Sequence, residues 1–297
     1  DEATVYLNGK LAITNASWTT PFAIDPRKFV AENHSLAIAV RVKDNGGGGG
    51  LLGSVSLLSP DSLEALYKTH WNEKTSPYPL EKWGSMVLYS VYTRNFTPEG
   101  TFKALEARLP ELKKLGVTTL WLLPIHEIGV EKRKGPDGSP YAIKDYYSVD
   151  PALGTKDDFR ALVKATHAQG MTIIIDCVLN HTSPDSVWAA QHPDWFLRDA
   201  NGKPKPMVAD WSDVVDFDWT NKTVYEEAAK MMEYWVRDFD IDGYRCDVAD
   251  RMPDDFWAMA RKRLDAIKPN IFMLAESQDP RHYFAGFDMV YCDGPRD

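Results

Sequence analysis

The sequence contains few of the residues that support metal, disulfide or nucleotide chemistry. Its 297 residues include three cysteines, Cys177, Cys246 and Cys292, and their spacing matches no metal-binding pattern. An odd number of cysteines argues against a disulfide framework, so we interpret them as small buried hydrophobic side chains. No glycine-rich phosphate-binding loop is present, so nothing indicates a nucleotide cofactor.

The chain is also short of positive charge and of long hydrophobic runs. Its formal net charge is -9 at pH 7, which argues against nucleic acid or an anionic membrane surface as a partner, because both attract basic patches. No apolar run reaches the roughly 18 residues that would span a bilayer. The first residues, Asp1 to Thr4, have neither a basic start nor an apolar segment. The acidic net charge of the chain is more compatible with a neutral ligand than with nucleic acid or an anionic membrane.

The residues that are present predict two domains of different class. Apolar and other residues alternate over 36–42, and Val5 and Leu7 precede the turn pair Asn8-Gly9, which predicts a β-hairpin. About four strands are recognisable, fewer than a closed sandwich has. We therefore predict a partial all-β sandwich domain over residues 1–58, and a proline-containing linker over 59–80.

From residue 81 onward, strand-like and helix-like segments alternate, which is typical of a parallel sheet with right-handed crossovers. The predicted strands cover residues 87–92, 118–123 and 171–177, then end at Asp247 and Glu276, with a last one over 287–291. This pattern predicts an α/β fold, a (β/α)8 TIM barrel over residues 81–297 with about six of its strands present. We expect the chain to be truncated at both ends.

Two successive predicted strands end in a carboxylate. Asp247 closes the segment DGYRCD, and Glu276 closes the segment IFMLAE. Neighbouring strands lie about 4.8 Å apart, so acids at the carboxyl ends of two such strands can face each other across a small gap. A retaining glycosidase places its two carboxyl groups about 5–5.5 Å apart.

The segments around these strand ends resemble the signature motifs of the α-amylase family of glycoside hydrolases, family 13. The three segments are 176–181 (DCVLNH), 243–247 (GYRCD) and 275–277 (AES), and the segment from 139 to 155 resembles the family's segment after strand two. The resemblance runs from about Trp83 to Tyr291. It implies a retaining enzyme that acts on α-linked glucans without a cofactor.

The resemblance assigns the two carboxylates their roles. Asp247 is the expected nucleophile, which forms a covalent glycosyl-enzyme intermediate, and Glu276 is the expected general acid and then general base. Arg245, two residues before Asp247 on the same side of a strand, is expected to lower the pKa of Asp247. Taken alone, the Arg245–Asp247 pair is equally consistent with a structural ion pair.

Five further residues are expected to bind substrate or support the site: Arg245, His181, Tyr141, Asp176 and Asn180. The resemblance implies that His181 forms a hydrogen bond with a hydroxyl of the sugar being cleaved, although a lone histidine is more often structural. Tyr141 resembles the aromatic platform beneath the sugar, and core packing is its alternative. Asp176 is expected to support the site from inside the barrel. Three tryptophans of the long segment after strand three are candidates for further platforms or for a small local core: Trp188, Trp195 and Trp211.

Two departures from the family pattern are visible. No segment supplies the His-Asp pair that most family members carry after strand seven, so the chain itself is expected to be inactive or nearly so. Arg251 occupies the position of a histidine that helps many relatives to hold calcium, so we predict no required metal. Neither cofactor nor metal is therefore expected.

Our main hypothesis is hydrolysis of α-glucosidic bonds in starch-like α-glucans or maltooligosaccharides. One alternative is an α-glucan transglycosylase that uses the same two carboxylates. Another is a non-catalytic sugar-binding barrel. The N-terminal domain resembles sugar-binding modules, with a structural sandwich as its alternative, and family analogy favours export to the periplasm or beyond. Oligomeric state and linkage preference stay open.

Overall fold

The computed structural model describes residues 2–15, 24, 28–29, 38–43 and 83–291. The chain divides into two compact units, Asp1–Tyr67 and Lys68–Asp297. The predicted linker over 59–80 lies outside the described residues, so the predicted domain limits stay predictions. None of the helices in the described ranges is both long and apolar enough to cross a membrane.

The first unit contains a three-stranded antiparallel sheet with the order β2-β1-β3. Its strands are β1 (Glu2–Leu7), β2 (Lys10–Asn15) and β3 (Ile38–Lys43). Asn8 and Gly9 connect β1 to β2 with φ angles of 48° and 76°, the positive pair that a two-residue hairpin requires. The predicted hairpin is confirmed. The complete sandwich stays a prediction, because most of the predicted domain lies outside the described residues.

The second unit is built on a six-stranded parallel sheet. Its strands are β4 (Leu88–Val91), β5 (Thr119–Leu122), β6 (Glu127–Ile128), β7 (Ile143–Asp145), β8 (Thr172–Cys177), β9 (His181–Thr182), β10 (Val215–Asp216), β11 (Gly243–Cys246), β12 (Phe272–Ala275) and β13 (Met289–Val290). The parallel sheet has the order β4-β5-β8-β11-β12-β13, and β6–β7 and β9–β10 are antiparallel pairs outside it. This is the incomplete TIM barrel that the alternating pattern predicts.

Helices connect the strands of this sheet. They are α1 (Thr93–Phe96), α2 (Phe102–Leu115), α3 (Lys156–Ala168), α4 (Val187–Gln191), α5 (Thr223–Phe239) and α6 (Asp254–Ile267). Short 3-10 turns follow at Pro193–Trp195, Ala249–Arg251 and Pro280–Tyr283. Each of α2, α3, α5 and α6 lies between two successive strands of the sheet, as the right-handed crossover rule requires.

Helices α2 and α3 begin and end at local signals. Thr155 and Asp158 form a capping box at the start of α3, in which each residue's amide donates to the other's side-chain oxygen at 2.9 and 3.1 Å. Gly116 ends α2 with a φ of 96°, which glycine adopts without steric cost. The apolar face predicted for α2 is buried: Phe102, Leu105, Leu109 and Leu112.

The core lies between the sheet and its helices. Trp235 of α5 is fully buried, and its indole N–H donates to the carbonyl of Tyr146 at 2.9 Å, so a large apolar side chain enters the core without an unpaired donor. Cys177 and Cys246 are register partners on β8 and β11. Both are buried, and neither forms a disulfide. Their interpretation as small buried side chains is confirmed, while Cys292 lies outside the described residues.

Candidate active site

The parallel ladder brings the two predicted catalytic carboxylates to one edge of the sheet. Cys246 pairs with Cys177 on one side and with Ala275 on the other. The ladder continues past the strand ends, because the amide of Asp247 donates to the carbonyl of Cys177 at 2.9 Å. The amide of Glu276 likewise donates to the carbonyl of Cys246 at 3.0 Å. Asp247 and Glu276 therefore lie side by side at the carboxyl edge, where barrel enzymes have their active sites.

One arginine contacts every carboxylate of the candidate site. Arg245 Nη1 lies 2.8 Å from Asp176 Oδ1 and 2.8 Å from Asp247 Oδ1. Its Nη2 lies 2.5 Å from Glu276 Oε1, and its Nε donates to the hydroxyl of Tyr291 at 3.1 Å. The side chains of Arg245 and Asp247 are 4% and 8% exposed, whereas that of Glu276 is 37% exposed. Glu276 is therefore the carboxyl that an entering ligand meets first.

The net shift of the Asp247 pKa is upward, although Arg245 acts in the predicted direction. Burial, followed by the nearby carboxylate of Asp176, raises the pKa of Asp247 from 3.8 to about 8, against the opposing effect of Arg245. Burial also raises the pKa of Asp176 to about 6. Arg245 does favour ionised Asp247, as predicted, but one guanidinium shared among three carboxyl groups does not offset desolvation. The site therefore carries an excess of acidic groups, which suits a reaction that develops positive charge on a sugar.

Aromatic side chains surround this arginine and its carboxylates. Tyr141, which is half-buried, donates its hydroxyl to Asp176 Oδ2 at 3.3 Å, and Trp121 donates its indole N–H to the same oxygen at 3.1 Å. The guanidinium of Arg245 lies 5.1 Å from the ring centroid of Trp121 and 5.8 Å from that of Tyr291. These contacts place Tyr141 at the site. Its role as a sugar platform stays a prediction.

Asn180 and His181 form a buried pair in the segment that follows β8. The amide nitrogen of Asn180 lies 3.0 Å from His181 Nδ1. Burial lowers the pKa of His181 to about 4, so the ring is neutral at pH 7. A neutral ring that accepts at Nδ1 carries its proton on Nε2. His181 therefore has a hydrogen-bond donor on the side of the ring opposite Asn180.

Arg251 lies near this pair and contacts a buried carboxylate. Its Nη1 is 4.0 Å from Asp216 Oδ2, and Asn180 Nδ2 is 3.4 Å from the same oxygen. The guanidinium lies 5.8 Å from the ring centroid of Trp211, whose indole meets His181 edge to face at 5.4 Å. Within the described ranges, no group of three or more His, Cys, Asp or Glu side chains is arranged to hold a metal ion. The absence of a metal requirement stays a prediction.

Two of the three candidate tryptophan platforms fill a local core instead. Trp188 and Trp195 are 4% and 5% exposed, which leaves no ring face open to a sugar. Trp188 stacks on Tyr146 at 4.2 Å and meets Phe217 edge to face at 5.9 Å. The long segment between β8 and α5 therefore has its own aromatic core, whereas Trp211 contacts His181.

The structure adds residues that the sequence reasoning missed. Tyr291 and Trp121 contact Arg245, and both lie on or just after barrel strands, where alternation places every second side chain on the same face. Val248 donates its amide to Glu276 Oε2 at 2.9 Å. No sequence signal marks this last contact, because it depends on the backbone conformation of Val248.

Comparisons with known proteins agree with this geometry. A family model described as the catalytic domain of alpha amylase matches residues 59–287. An alpha-amylase structure from Lactobacillus plantarum superposes with a TM-score of 0.68 and 43% identity, covering 70% of this chain and 52% of that chain. A maltogenic alpha-amylase from Thermotoga neapolitana gives a TM-score of 0.66 and 47% identity, covering 70% of this chain and 49% of that one.

A transferase is also among the similar proteins. The alpha-1,4-glucan:maltose-1-phosphate maltosyltransferase of Myxococcus xanthus is 30% identical over 217 residues, which are 64% of this chain and 32% of that protein. The chain thus spans about a third to about a half of the length of the relatives it matches. The match to the family model covers most of the chain, including every site residue predicted from the sequence.

Proposed function

Because the chain belongs to the α-amylase family, we propose that the protein is a retaining glycoside hydrolase that cleaves α-glucosidic bonds in starch-like α-glucans or maltooligosaccharides. The observation that carries this proposal is the contact of one guanidinium with two carboxyl groups from successive strand ends, at 2.8 Å to Asp247 and 2.5 Å to Glu276. The two terminal nitrogens of Arg245 share one carbon. The two carboxyl groups are therefore close together, as a double displacement requires.

The reaction proceeds in two steps that use the same two carboxyl groups. In the first step, an oxygen of Asp247 bonds to the anomeric carbon as the bond to the leaving oxygen breaks, and Glu276 gives its proton to that oxygen. In the second step, the Glu276 carboxylate takes a proton from a water molecule, whose oxygen bonds to the anomeric carbon as the bond to Asp247 breaks. The enzyme returns to its starting protonation state.

The raised pKa of Asp247 bears on its role as the nucleophile. At about 8, it means that Asp247 of the empty site keeps a proton at neutral pH. The reactive form has the negative charge on Asp247 beside Arg245 and a proton on Glu276, the more exposed carboxyl. Arg245 therefore stabilises the form of Asp247 that attacks the sugar.

Other side chains at the edge of the sheet suit a neutral, hydroxyl-rich ligand. His181 offers a neutral N–H donor, held in its orientation by Asn180 at 3.0 Å. The half-buried ring of Tyr141 is held by its hydroxyl on Asp176, which is the arrangement of a ring that packs against the apolar face of a sugar. We assign His181, Asn180, Tyr141, Asp176 and Arg245 to substrate binding and to support of the site.

Glycosyl transfer is the second candidate function, and the maltosyltransferase relative favours it. The same covalent intermediate serves both reactions, and the outcome depends on whether water or a sugar hydroxyl attacks it. The ratio of new glycoside to free reducing sugar, measured on maltooligosaccharides, distinguishes the two. A non-catalytic sugar-binding barrel is a weaker proposal, because both carboxyl groups are present and both contact Arg245.

The test uses the full-length protein, assayed for reducing sugar released from maltooligosaccharides. Asp247→Asn and Glu276→Gln should each lower kcat by about 10⁴-fold or more, because each removes a group that bonds to, or transfers a proton to, the reacting atoms. Asp157→Asn is the matched control, since that carboxylate is 90% exposed on helix α3, and it should keep wild-type activity. Hydrolysis that survives Asp247→Asn contradicts the proposal.

A further inference from the structure

Val248, the residue after the proposed nucleophile, has an unusual backbone conformation. Its φ and ψ angles are 46° and 45°, in the left-handed region that β-branched residues rarely enter. Such a conformation is sterically unfavourable and persists where its surroundings enforce it. Here it directs the amide of Val248 to Glu276 Oε2 at 2.9 Å. The backbone beside the nucleophile thus holds the proposed acid.

The turn that follows Val248 is fixed by a hydrogen-bond cluster in which the carboxylate of Asp250 is half exposed. Asp250 lies in the 3-10 turn Ala249–Arg251, and its Oδ1 accepts from Ser277 Oγ at 2.7 Å and from His282 Nε2 at 2.8 Å. His282 has a fully buried side chain, and its Nδ1 has no hydrogen-bond partner among the described residues. Among the described residues, the hydrogen bond of the His282 side chain is therefore the one to Asp250.

The cluster joins the two loops that carry the proposed catalytic carboxyl groups. Asp250 comes three residues after Asp247, and Ser277 comes directly after Glu276. The amide of Arg251 donates to the carbonyl of Val248 at 3.0 Å, so the turn that contains Asp250 also fixes the Val248 carbonyl. A displacement of Asp250 would therefore move the Val248 amide and release Glu276 on its exposed side.

We propose that Asp250 is a positioning residue, which connects the loop after β11 to the loop after β12 through Ser277 and His282 and thereby keeps Glu276 on the amide of Val248. Its role is to orient the acid through Glu276 Oε2, while Arg245 contacts Glu276 Oε1 at 2.5 Å and Asp247 Oδ1 at 2.8 Å. This inference rests on the proposed function. It predicts that loss of the cluster harms proton donation to the leaving group more than attack by Asp247.

The test compares two substrates that differ in their need for a proton. Maltotetraose has a poor leaving group that requires protonation, whereas α-maltotriosyl fluoride releases fluoride without it. In the full-length protein, Asp250→Ala should lower kcat/KM for maltotetraose by about 10- to 100-fold, the usual cost of a misplaced catalytic group. It should leave kcat/KM for the fluoride within about twofold of wild type, because bond cleavage then needs only Asp247.

Three further variants complete the experiment. Asp250→Asn keeps an oxygen that can accept from Ser277 and His282, so it should restore most of the maltotetraose activity. Ser277→Ala removes one contact and should give a smaller loss of maltotetraose activity with the same substrate selectivity. This variant replaces Asp250→Ala in the test if Asp250→Ala fails to fold. Asp157→Asn is the control, because this carboxylate is 90% exposed on helix α3 and pairs with Arg160. It should match wild type on both substrates.

The outcomes separate the inference from the proposed function. A selective loss on maltotetraose supports the positioning role. An equal loss on both substrates, or no loss, overturns that role and leaves the proposed hydrolase intact, since the wild type still cleaves both. A wild-type protein that cleaves neither substrate overturns the proposed function, and the inference fails with it.

Discussion

Two buried arginines of the barrel make similar ion pairs and serve different ends. Arg245 contacts Asp176, Asp247 and Glu276, which come from three successive strands or strand ends. Arg261, on helix α6, contacts Asp265 and Asp288, each at 2.9 Å. Both arginine side chains are nearly inaccessible, at 4% and 2% exposure. Burial and an aspartate partner therefore do not by themselves mark a catalytic arginine.

The difference lies in what else the carboxyl groups contact. Asp288 Oδ2 also accepts from the amide of Met273 at 2.8 Å, and Arg261 donates to the carbonyl of Gly286 at 2.8 Å. That cluster is tied to the backbone of β12 and of the segment before β13, as in a structural ion pair. Around Arg245, three carboxyl groups share one cation, and Glu276 opens to solvent. A surplus of acidic groups at an accessible strand end distinguishes the site.

Substitution of each arginine tests whether one cluster is catalytic and the other structural. Arg245→Ala should lower kcat by about 10²- to 10³-fold or more, because it removes the charge that holds both reacting carboxyl groups. Arg261→Met should instead destabilise the fold by about 3–5 kcal/mol, because it leaves the fully buried Asp288 without its cation. Activity on maltooligosaccharides, normalised to the folded fraction from circular dichroism, and urea unfolding provide the two measurements.

The opposite pattern would contradict this assignment of roles. If Arg261→Met lost activity per folded molecule, or if Arg245→Ala kept it, the two clusters would not divide into a structural and a catalytic one. Asp157→Asn is a suitable reference for both measurements. Its pair with Arg160 is largely exposed, at 90% and 47%, and such pairs contribute about 0–1 kcal/mol.

The raised pKa of Asp247 should limit activity at acidic and neutral pH. That pKa is about 8, and Asp247 attacks the anomeric carbon only as the carboxylate. We expect kcat/KM for maltooligosaccharides to rise by about tenfold per pH unit up to about pH 8, because kcat/KM reports ionisation in the free enzyme. A profile that is already flat between about pH 5 and pH 8 would contradict the raised pKa.

The smallest expected effect is on stability. The pKa of Asp247 is 3.8 in an ordinary setting and about 8 in the fold, so between these pH values the folded state keeps a proton that the unfolded state has lost. Stability from this group is therefore fully present below pH 3.8 and is lost as the pH rises toward 8. Asp247→Asn removes this dependence and should raise the Tm by about 2–4 °C at pH 8, and by less at pH 5.

Calorimetry at both pH values measures this difference. Asp157→Asn should show no gain in Tm that grows with pH, because its carboxylate is largely exposed. An equal gain in Tm for Asp247→Asn at pH 5 and at pH 8 would mean that the gain does not come from removing a buried charge.

Much of the barrel follows from local sequence. Alternating strand and helix patterns, together with the capping box at Thr155 and the terminal Gly116, place the elements within a few residues of their observed limits. The carboxyl ends of parallel strands meet at one edge. For that reason, Asp247 and Glu276 were predictable as neighbours from their positions after two successive strands.

Other features of the site depend on residues that are far apart in the chain. Asp250 and His282 are 32 residues apart, and no periodicity connects them. Trp188 and Trp195 were candidates for sugar platforms, but both are buried: Trp188 packs against Tyr146 and Phe217, and Trp195 packs against Trp188. Burial depends on which elements cover a side chain, and the residues next to it in the chain do not specify this.

The sequence by itself determined the fold class and the pair of carboxylates, because backbone alternation and strand order are local properties that a parallel sheet converts directly into proximity. Only the tertiary structure decided the electrostatics. The pKa of Asp247 is raised because burial and Asp176 outweigh Arg245, although the adjacent arginine alone favoured a lowered value. Desolvation is the sum over all surrounding atoms, so the direction of that balance is known only once the chain has folded around it.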